Sequence, residues 1–141
     1  MHLYKFTARI ILRTQVEFKS DAFPPYLGED QEINPGRWGK RLADFLVSEL
    51  PKYSVATEGT SVADWGIIIP IKNGTFYMYI GCGNQDSEND DQYLCFIEPS
   101  VPEIKKGLFK KISTVAEVEI VADALNKALT NHPNVHDIVW S

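Results

Sequence analysis

The segment Gly81–Asp91, GCGNQDSENDD, has the residue types closest to those of a reactive site: a cysteine between two glycines, then a row of carboxylates. A calcium loop that began at Asp86 would need glycine at position 91 and glutamate at position 97. The chain has Asp91 and Ile97 there, so the match fails at both defining positions. We interpret the segment as a solvated hairpin loop.

Cys82 as a nucleophile would need a base, usually a histidine, within hydrogen-bond reach. The histidines are at positions 2, 132 and 136, near the two ends of the chain, and nothing in the sequence brings one to Cys82. His132 and His136 are four residues apart, but Pro133 breaks a helix there, and an extended chain would separate them by about 13 Å. We therefore expect Cys82 to be a core residue and predict no catalytic residue, metal or cofactor.

The segment NPGRWGKR carries the candidate anion-binding residues Arg37, Lys40 and Arg41. If Asn34-Pro35 begins a helix, these three bases lie in its first two turns, beside the unpaired N–H groups that favour a bound phosphate or carboxylate. The alternative is structural, because acidic residues just upstream, Glu29 among them, can neutralise the bases. A small-anion or metabolite binder, or an enzyme, at this helix N-terminus is the second of two functional hypotheses.

The leading hypothesis is a binding surface formed by alternating strand residues. Residues 2–19 alternate between apolar and polar types, as does the run from Trp65 to Cys82, so each strand should bury one side. The candidate partner-binding residues fall on the other side: Lys5, Arg9, Arg13, Ile68, Tyr77 and Tyr79. Tyrosine and arginine with aliphatic neighbours are typical of interface cores.

The elements that hold these residues are read from periodicity and turn residues. One helix is predicted from Asn34-Pro35 to Pro51 and another from Val115 to Thr130, with Thr114 and Glu117 as a capping box. Asn73-Gly74 predicts a two-residue hairpin turn with Lys72 opposite Thr75. In that register Trp65 shares the buried side with Ile67 and Ile69, and Pro70 requires a bulge or an edge position.

The remaining segments complete the prediction. Further strands are expected at 53–58, 92–97 and, as a short final strand, 135–140, whereas 103–112 has apolar residues at helical spacing around Gly107. The fold class is therefore α+β: a two-layer domain with an antiparallel sheet of about five strands and two helices on one face. The order β-α-β-β-β-β-α is similar to that of the TATA-binding-protein-like folds, a likeness of topology that implies no function.

Composition limits the partners. The 141 residues suit one domain, 1–141, and contain no apolar run long enough to cross a membrane, so we expect no membrane partner. The net charge of −5 makes nucleic acid an unfavoured partner, and two cysteines without a signal sequence indicate the cytoplasm. We thus expect a small non-catalytic intracellular binding protein that uses the open sheet face for a protein partner or for self-association.

Overall fold

The computed structural model describes residues 12–86 and 89–141. Six strands form one antiparallel sheet in the order β2-β3-β4-β5-β1-β8, and β6 and β7 form a separate hairpin. The strands are β1 (Gln15–Ser20), β2 (Ser61–Ala63), β3 (Gly66–Ile71), β4 (Met78–Asp86), β5 (Asn89–Glu98), β6 (Glu103–Lys106), β7 (Lys110–Ser113) and β8 (Val135–Trp140). The helices are α1 (Glu29–Glu32), α2 (Lys40–Glu49) and α3 (Val115–Thr130), with a 3-10 turn at Leu50–Tyr53.

The two long helices cover one face of the sheet, which confirms the predicted two-layer α+β class. Alternate strand residues point into this layer, among them Ile69, Ile80 and Ile97, each with no exposed surface. Helix α2 packs on β3 and β4, and helix α3 packs on β5 and β8. The predicted C-terminal strand is present as β8, which pairs with β1.

The central hairpin keeps the predicted sides but has a longer turn. The pairs are Ile71↔Met78 and Ile69↔Ile80, so residues 72–77 form the connection instead of Asn73-Gly74 alone. Because the pairing moves by two residues, every side chain within the paired strands stays on its predicted side. The Asn73 side chain accepts a hydrogen bond from the Thr75 N–H at 3.0 Å, so it stabilises a wider turn than the predicted one.

Pro70 lies within β3, in register opposite Tyr79, without the predicted bulge. The Pro70 carbonyl accepts a hydrogen bond from the Glu58 N–H at 2.9 Å. In an antiparallel strand the N–H and C=O of one residue point to the same side, so the missing N–H of Pro70 faces residues 56–58 and not β4. Pro70 therefore costs no hydrogen bond between β3 and β4.

Four predicted elements need correction. The strand expected at 53–58 does not form, because the 3-10 turn at Leu50–Tyr53 is followed by an irregular segment with the single bridge Thr57↔Ile71. Helix α2 begins at Lys40, after Gly39, and not at Asn34-Pro35. The segment 103–113 is the β6–β7 hairpin instead of a helix, with Gly107 at a positive φ of 74°. The segment 81–91 is mostly strand, since β4 extends to Asp86 and β5 begins at Asn89.

Helix α3 has the predicted bounds, but the capping box does not form. Thr114 is the N-cap residue and makes no side-chain cap hydrogen bond. Its hydroxyl donates instead to the Val101 carbonyl, and its N–H donates to the Pro102 carbonyl at 2.9 Å. Thr114 thus joins the start of α3 to the segment that leads into β6.

Candidate functional site

The face of the sheet opposite the two long helices carries a group of aromatic side chains. Four of them form what we call the aromatic patch: Trp65, Tyr77, Tyr79 and Phe96. Their rings follow one another across the sheet, with centroid distances of 5.0 Å for Trp65–Phe96, 6.2 Å for Phe96–Tyr79 and 5.6 Å for Tyr79–Tyr77. Within residues 12–86 and 89–141, no helix packs on this face.

Gly81 provides the floor of the patch. A Cβ at this position would lie 2.2 Å from the Cζ of Phe96 and 2.7 Å from the Cη2 of Trp65. The two rings therefore rest directly on the backbone of β4, in the space that a side chain at position 81 would occupy. Gly81, the residue that precedes Cys82, must therefore be a glycine to leave room for the rings of Phe96 and Trp65.

Two of the predicted partner-binding residues lie in the patch and a third lies on the same face. Tyr77 is 69% exposed, and Tyr79 is partly buried between Tyr77 and Phe96. Burial raises the pKa of the Tyr79 phenol, with smaller contributions from the nearby Glu98 and Tyr77. Ile68 is partly buried, opposite Gly81 in the neighbouring strand, as the alternation predicts.

Trp65 was predicted for the buried side, and the structure places it in the patch. Strand β3 begins only at Gly66, because Asp64 and Trp65 form the turn from β2. Period-two alternation applies only inside a strand, so it could not orient Trp65. The sequence signal for this is Gly66. A glycine at this point indicates a close backbone approach at the start of the strand, which leaves Trp65 outside the alternating pattern.

Arg13 is not on this face. Its guanidinium forms an ion pair with Asp123 of α3 and lies 5.4 Å from the ring centroid of Trp140. Both contacts lie on the helical side, since the Trp140 side chain also donates its Nε1 hydrogen to the side-chain oxygen of Asn126 in α3 at 2.9 Å. Lys5 and Arg9, the other predicted basic residues, lie outside the described residues.

Arg37 reaches the rim of the patch because Asn84 fixes the segment that precedes α2. The Asn84 side chain accepts a hydrogen bond from the Trp38 N–H at 2.9 Å and donates one to the Gly36 carbonyl at 2.8 Å. The Asn84 N–H donates to the Trp38 carbonyl at 3.0 Å, so this segment pairs with β4 just beyond the start of β3. Trp38 then points into the core, and Arg37 points to the opposite side.

The Arg37 guanidinium donates to two backbone carbonyls, of Asn84 at 3.2 Å and of Gln85 at 2.9 Å. Both bonds use the same nitrogen, Nη1, and no carboxylate of the described residues forms an ion pair with Arg37. A pocket of about 220 Å³ adjoins it, lined also by Trp65, Leu94 and Phe96. The arrangement combines aromatic walls with a cation whose other donors have no hydrogen-bond partner among the residues that the structure describes.

Lys40 and Arg41 have different surroundings from Arg37. Arg41 lies 4.2 Å from the ring centroid of Tyr26 and donates to the Pro24 carbonyl at 3.0 Å, and Lys40 lies 5.9 Å from the same ring. The three predicted anion-binding residues therefore do not form one group. Only Arg37 joins the aromatic patch.

The N-terminus of α2 already has an anion from the chain itself. The buried Glu29 carboxylate accepts hydrogen bonds through Oε2 from the N–H groups of Gly39 at 2.9 Å and Lys40 at 2.8 Å. Its other oxygen accepts from the Tyr26 N–H at 3.0 Å. Glu29 thus fills the position where the sequence suggested an external phosphate or carboxylate.

The two cysteines are opposite each other in β4 and β5 and are fully buried. Burial raises the pKa of both thiols, because a thiolate loses its hydration there. Cys82 is therefore a protonated core side chain, as the alternation indicates. His132 packs against the rings of Phe23 and Phe45 at centroid distances of 5.4 and 5.0 Å.

In the part of the chain that the structure describes, no three His, Cys, Asp or Glu side chains are grouped closely enough to hold a metal ion. Nor is any helix in these ranges long and apolar enough to cross a membrane. The sequence matches no protein-family model, and comparisons with curated proteins and with solved structures give no match.

Proposed function

We propose that this protein is a non-catalytic binding protein that pairs face to face with a second copy of itself through the aromatic patch. The observation that carries the proposal is the set of four aromatic rings on a sheet face that no described helix covers. Apolar patches of this kind on soluble domains usually mark interaction sites, and tyrosine and tryptophan are enriched in the cores of such sites.

The charges at the two ends of the patch support a second copy as the occupant. Arg37 lies at one end, bonded to the Asn84 and Gln85 carbonyls. Glu98 lies on the same face at the other end, directly opposite Tyr79 in the neighbouring strand. Positions 79 and 84 of β4 are about 16 Å apart in an extended strand.

A two-fold axis that lies between two such faces, perpendicular to the strands, turns each copy end for end. Arg37 of each copy then comes opposite Glu98 of the other, and one patch gives two matched ion pairs. Aromatic rings would fill the centre of the interface, and the ion pairs would fix its direction. A single surface is in this way complementary to itself.

The edges of the sheet are less suited to association than its face. Strand β2, at one edge, has only three residues. Strand β8, at the other, pairs with β1 through a register shift and has Asp137 at a positive φ of 54°. Short and irregular edge strands discourage pairing with another chain.

The experiment measures the mass of the protein in solution by sedimentation velocity over a range of concentrations. We expect a monomer–dimer equilibrium. The change Glu98→Arg should weaken dimer affinity by at least about tenfold, because each of the two Arg37–Glu98 ion pairs becomes a contact between two positive charges. Combining Glu98→Arg with Arg37→Glu should restore the dimer. Glu119→Arg, an equal charge change on the exposed surface of α3, is the matched control and should leave the equilibrium unchanged.

A protein that stays monomeric at every concentration would contradict self-association, and the patch would then belong to a different partner. If neither Glu98→Arg nor Tyr77→Ser changes the dimer affinity, the dimer interface lies on another surface. Circular dichroism of each variant shows whether the fold is retained, so that loss of the dimer is not confused with unfolding.

A further inference from the structure

We infer that the β6–β7 hairpin is an arm that binds the surface of anionic phospholipid membranes, a function separate from the pairing proposed for the sheet face. The hairpin comprises Glu103–Ser113, and its strands pair with each other and not with the main sheet. All the residues from Lys105 to Lys111 are exposed. The hairpin is therefore an extension of the chain that contributes little to the core.

The tip of the hairpin carries two large apolar side chains in water. Leu108 is 90% exposed and Phe109 is 98% exposed. Both follow Gly107, whose φ of 74° allows the tight turn that presents them at the end of the arm. Single exposed apolar residues are common, but two adjacent ones at the end of a projecting hairpin form a small insertion surface.

The strands of the hairpin place lysines opposite each other. Lys105 is paired with Lys111, and Lys106 with Lys110. Like charges directly across an antiparallel pair destabilise it, and the hairpin has two such pairs. A surface of negative charge next to the hairpin would relieve this repulsion.

A purely structural explanation of the four hairpin lysines is that lysines on edge strands prevent aggregation with other chains. That explanation does not account for Leu108 and Phe109 at the tip, since they would promote aggregation. An anionic membrane accounts for both features, because the apolar tip can enter the headgroup region while the lysines contact lipid phosphates. The arm has a charge of +3, from four lysines and one glutamate, in a chain of net charge −5.

An acidic membrane is therefore attracted by this arm and repelled by the rest of the molecule. At physiological salt the attraction is screened over about 8 Å, so it acts mainly on the projecting hairpin. The expected mode of binding is shallow and reversible, with the tip inserted and the body held away from the lipid.

The test is sedimentation of the full chain with vesicles of phosphatidylglycerol and phosphatidylcholine, compared with pure phosphatidylcholine. We expect binding to the anionic vesicles alone, and its loss as sodium chloride is raised. Lys105→Gln with Lys111→Gln should weaken partitioning about 30-fold, from roughly 1 kcal/mol for each lysine. Leu108→Ser with Phe109→Ser should weaken it about tenfold or more at the same charge.

Two matched controls separate the hairpin from general effects. Lys72→Gln with Lys127→Gln removes the same charge from exposed positions elsewhere, and Leu27→Ser removes another fully exposed leucine. Both should bind as the original chain does. Phe109→Trp adds a readout of insertion, since its fluorescence should shift to shorter wavelength with anionic vesicles.

Equal binding to neutral and anionic vesicles would overturn the inference, and so would no binding to either. It would also be overturned if the hairpin lysines were needed for binding to single-stranded RNA and not for binding to lipid. Because the hairpin lies outside the aromatic patch, the vesicle result does not depend on whether the protein pairs with itself.

Discussion

Asn84 shows how one side chain determines the position of a candidate binding residue. It is 3% exposed and uses both its oxygen and its nitrogen to hold the backbone of Gly36 and Trp38. The two bonds set the direction in which Arg37 leaves this segment. A buried amide in this role is costly to replace, because the backbone groups it satisfies lie away from water.

The change Asn84→Ala should lower the free energy of unfolding by about 2–3 kcal/mol, since it leaves the Trp38 N–H without its partner. Urea unfolding followed by tryptophan fluorescence measures the effect. Asn134→Ala, at an exposed position, is the control and should change the stability by less than about 0.5 kcal/mol. Equal effects of the two changes would mean that Asn84 has no special role in holding the segment.

The thiols of Cys82 and Cys95 should be unreactive in the folded protein at pH 8. Burial raises the pKa of both, so the thiolate that reacts with a disulfide reagent is scarce, and the reagent cannot reach the sulfur. Titration with Ellman's reagent should detect no thiol in the native protein and two in urea. Rapid reaction of one thiol without denaturant would contradict the buried position.

At the scale of elements, the start of β3, the middle of β4 and the segment that precedes α2 come into close backbone contact at glycines. A Cβ on Gly66 would lie 2.3 Å from the Cys82 carbonyl oxygen, and a Cβ on Gly39 would lie 2.7 Å from the same atom. Glycine is therefore required for the backbones to approach closely enough for Trp38 to pair with Asn84. This contact connects the helical layer to the sheet at the end where Arg37 lies.

Gly66→Ala should destabilise the protein by about 1–3 kcal/mol, because the overlapping atom belongs to a strand backbone that cannot turn aside. Gly74→Ala is the matched control, since nothing lies within 4 Å of a Cβ there and it should be tolerated. Thermal unfolding of both variants measures the difference. Similar melting temperatures would mean that the contact at Gly66 can open at little cost.

At the scale of the whole molecule, the two proposed binding surfaces have opposite physical characters. The aromatic patch is a largely flat part of a rigid sheet, held by the core beneath it. The β6–β7 hairpin has few contacts with that core, and an isolated two-stranded hairpin is only marginally stable. The hairpin should therefore open locally far more often than the sheet.

Limited digestion with trypsin should cut first within the hairpin, at its four lysines, while the sheet and helices stay intact. Mass spectrometry of the early products identifies the site, and the comparison is with the exposed Lys40 of α2 and Lys127 of α3. The rate of proteolysis follows how often a segment opens locally. Among the described residues, the segment around the hairpin lysines should open most often. A first cut in α2 or α3 would contradict a weakly held arm.

Much of this fold follows from the sequence alone. Alternation assigned the sides of Ile67, Ile69, Ile80 and Tyr79, and helical spacing gave the bounds of α3, since both patterns depend only on local geometry and on which side is apolar. The α+β class followed from the same patterns. The same alternation predicts the face on which the candidate residues Ile68, Tyr77 and Tyr79 lie.

Only the tertiary structure decided how the candidate residues combine. Trp65 and Arg37 reach the patch, Arg13 turns to α3, and Glu29 fills the N-terminus of α2, through contacts between residues far apart in the chain. No periodicity records such contacts, because they depend on close backbone approach at glycines and on one buried amide. The local pattern determined which sides are buried, and long-range packing determined which side chains meet.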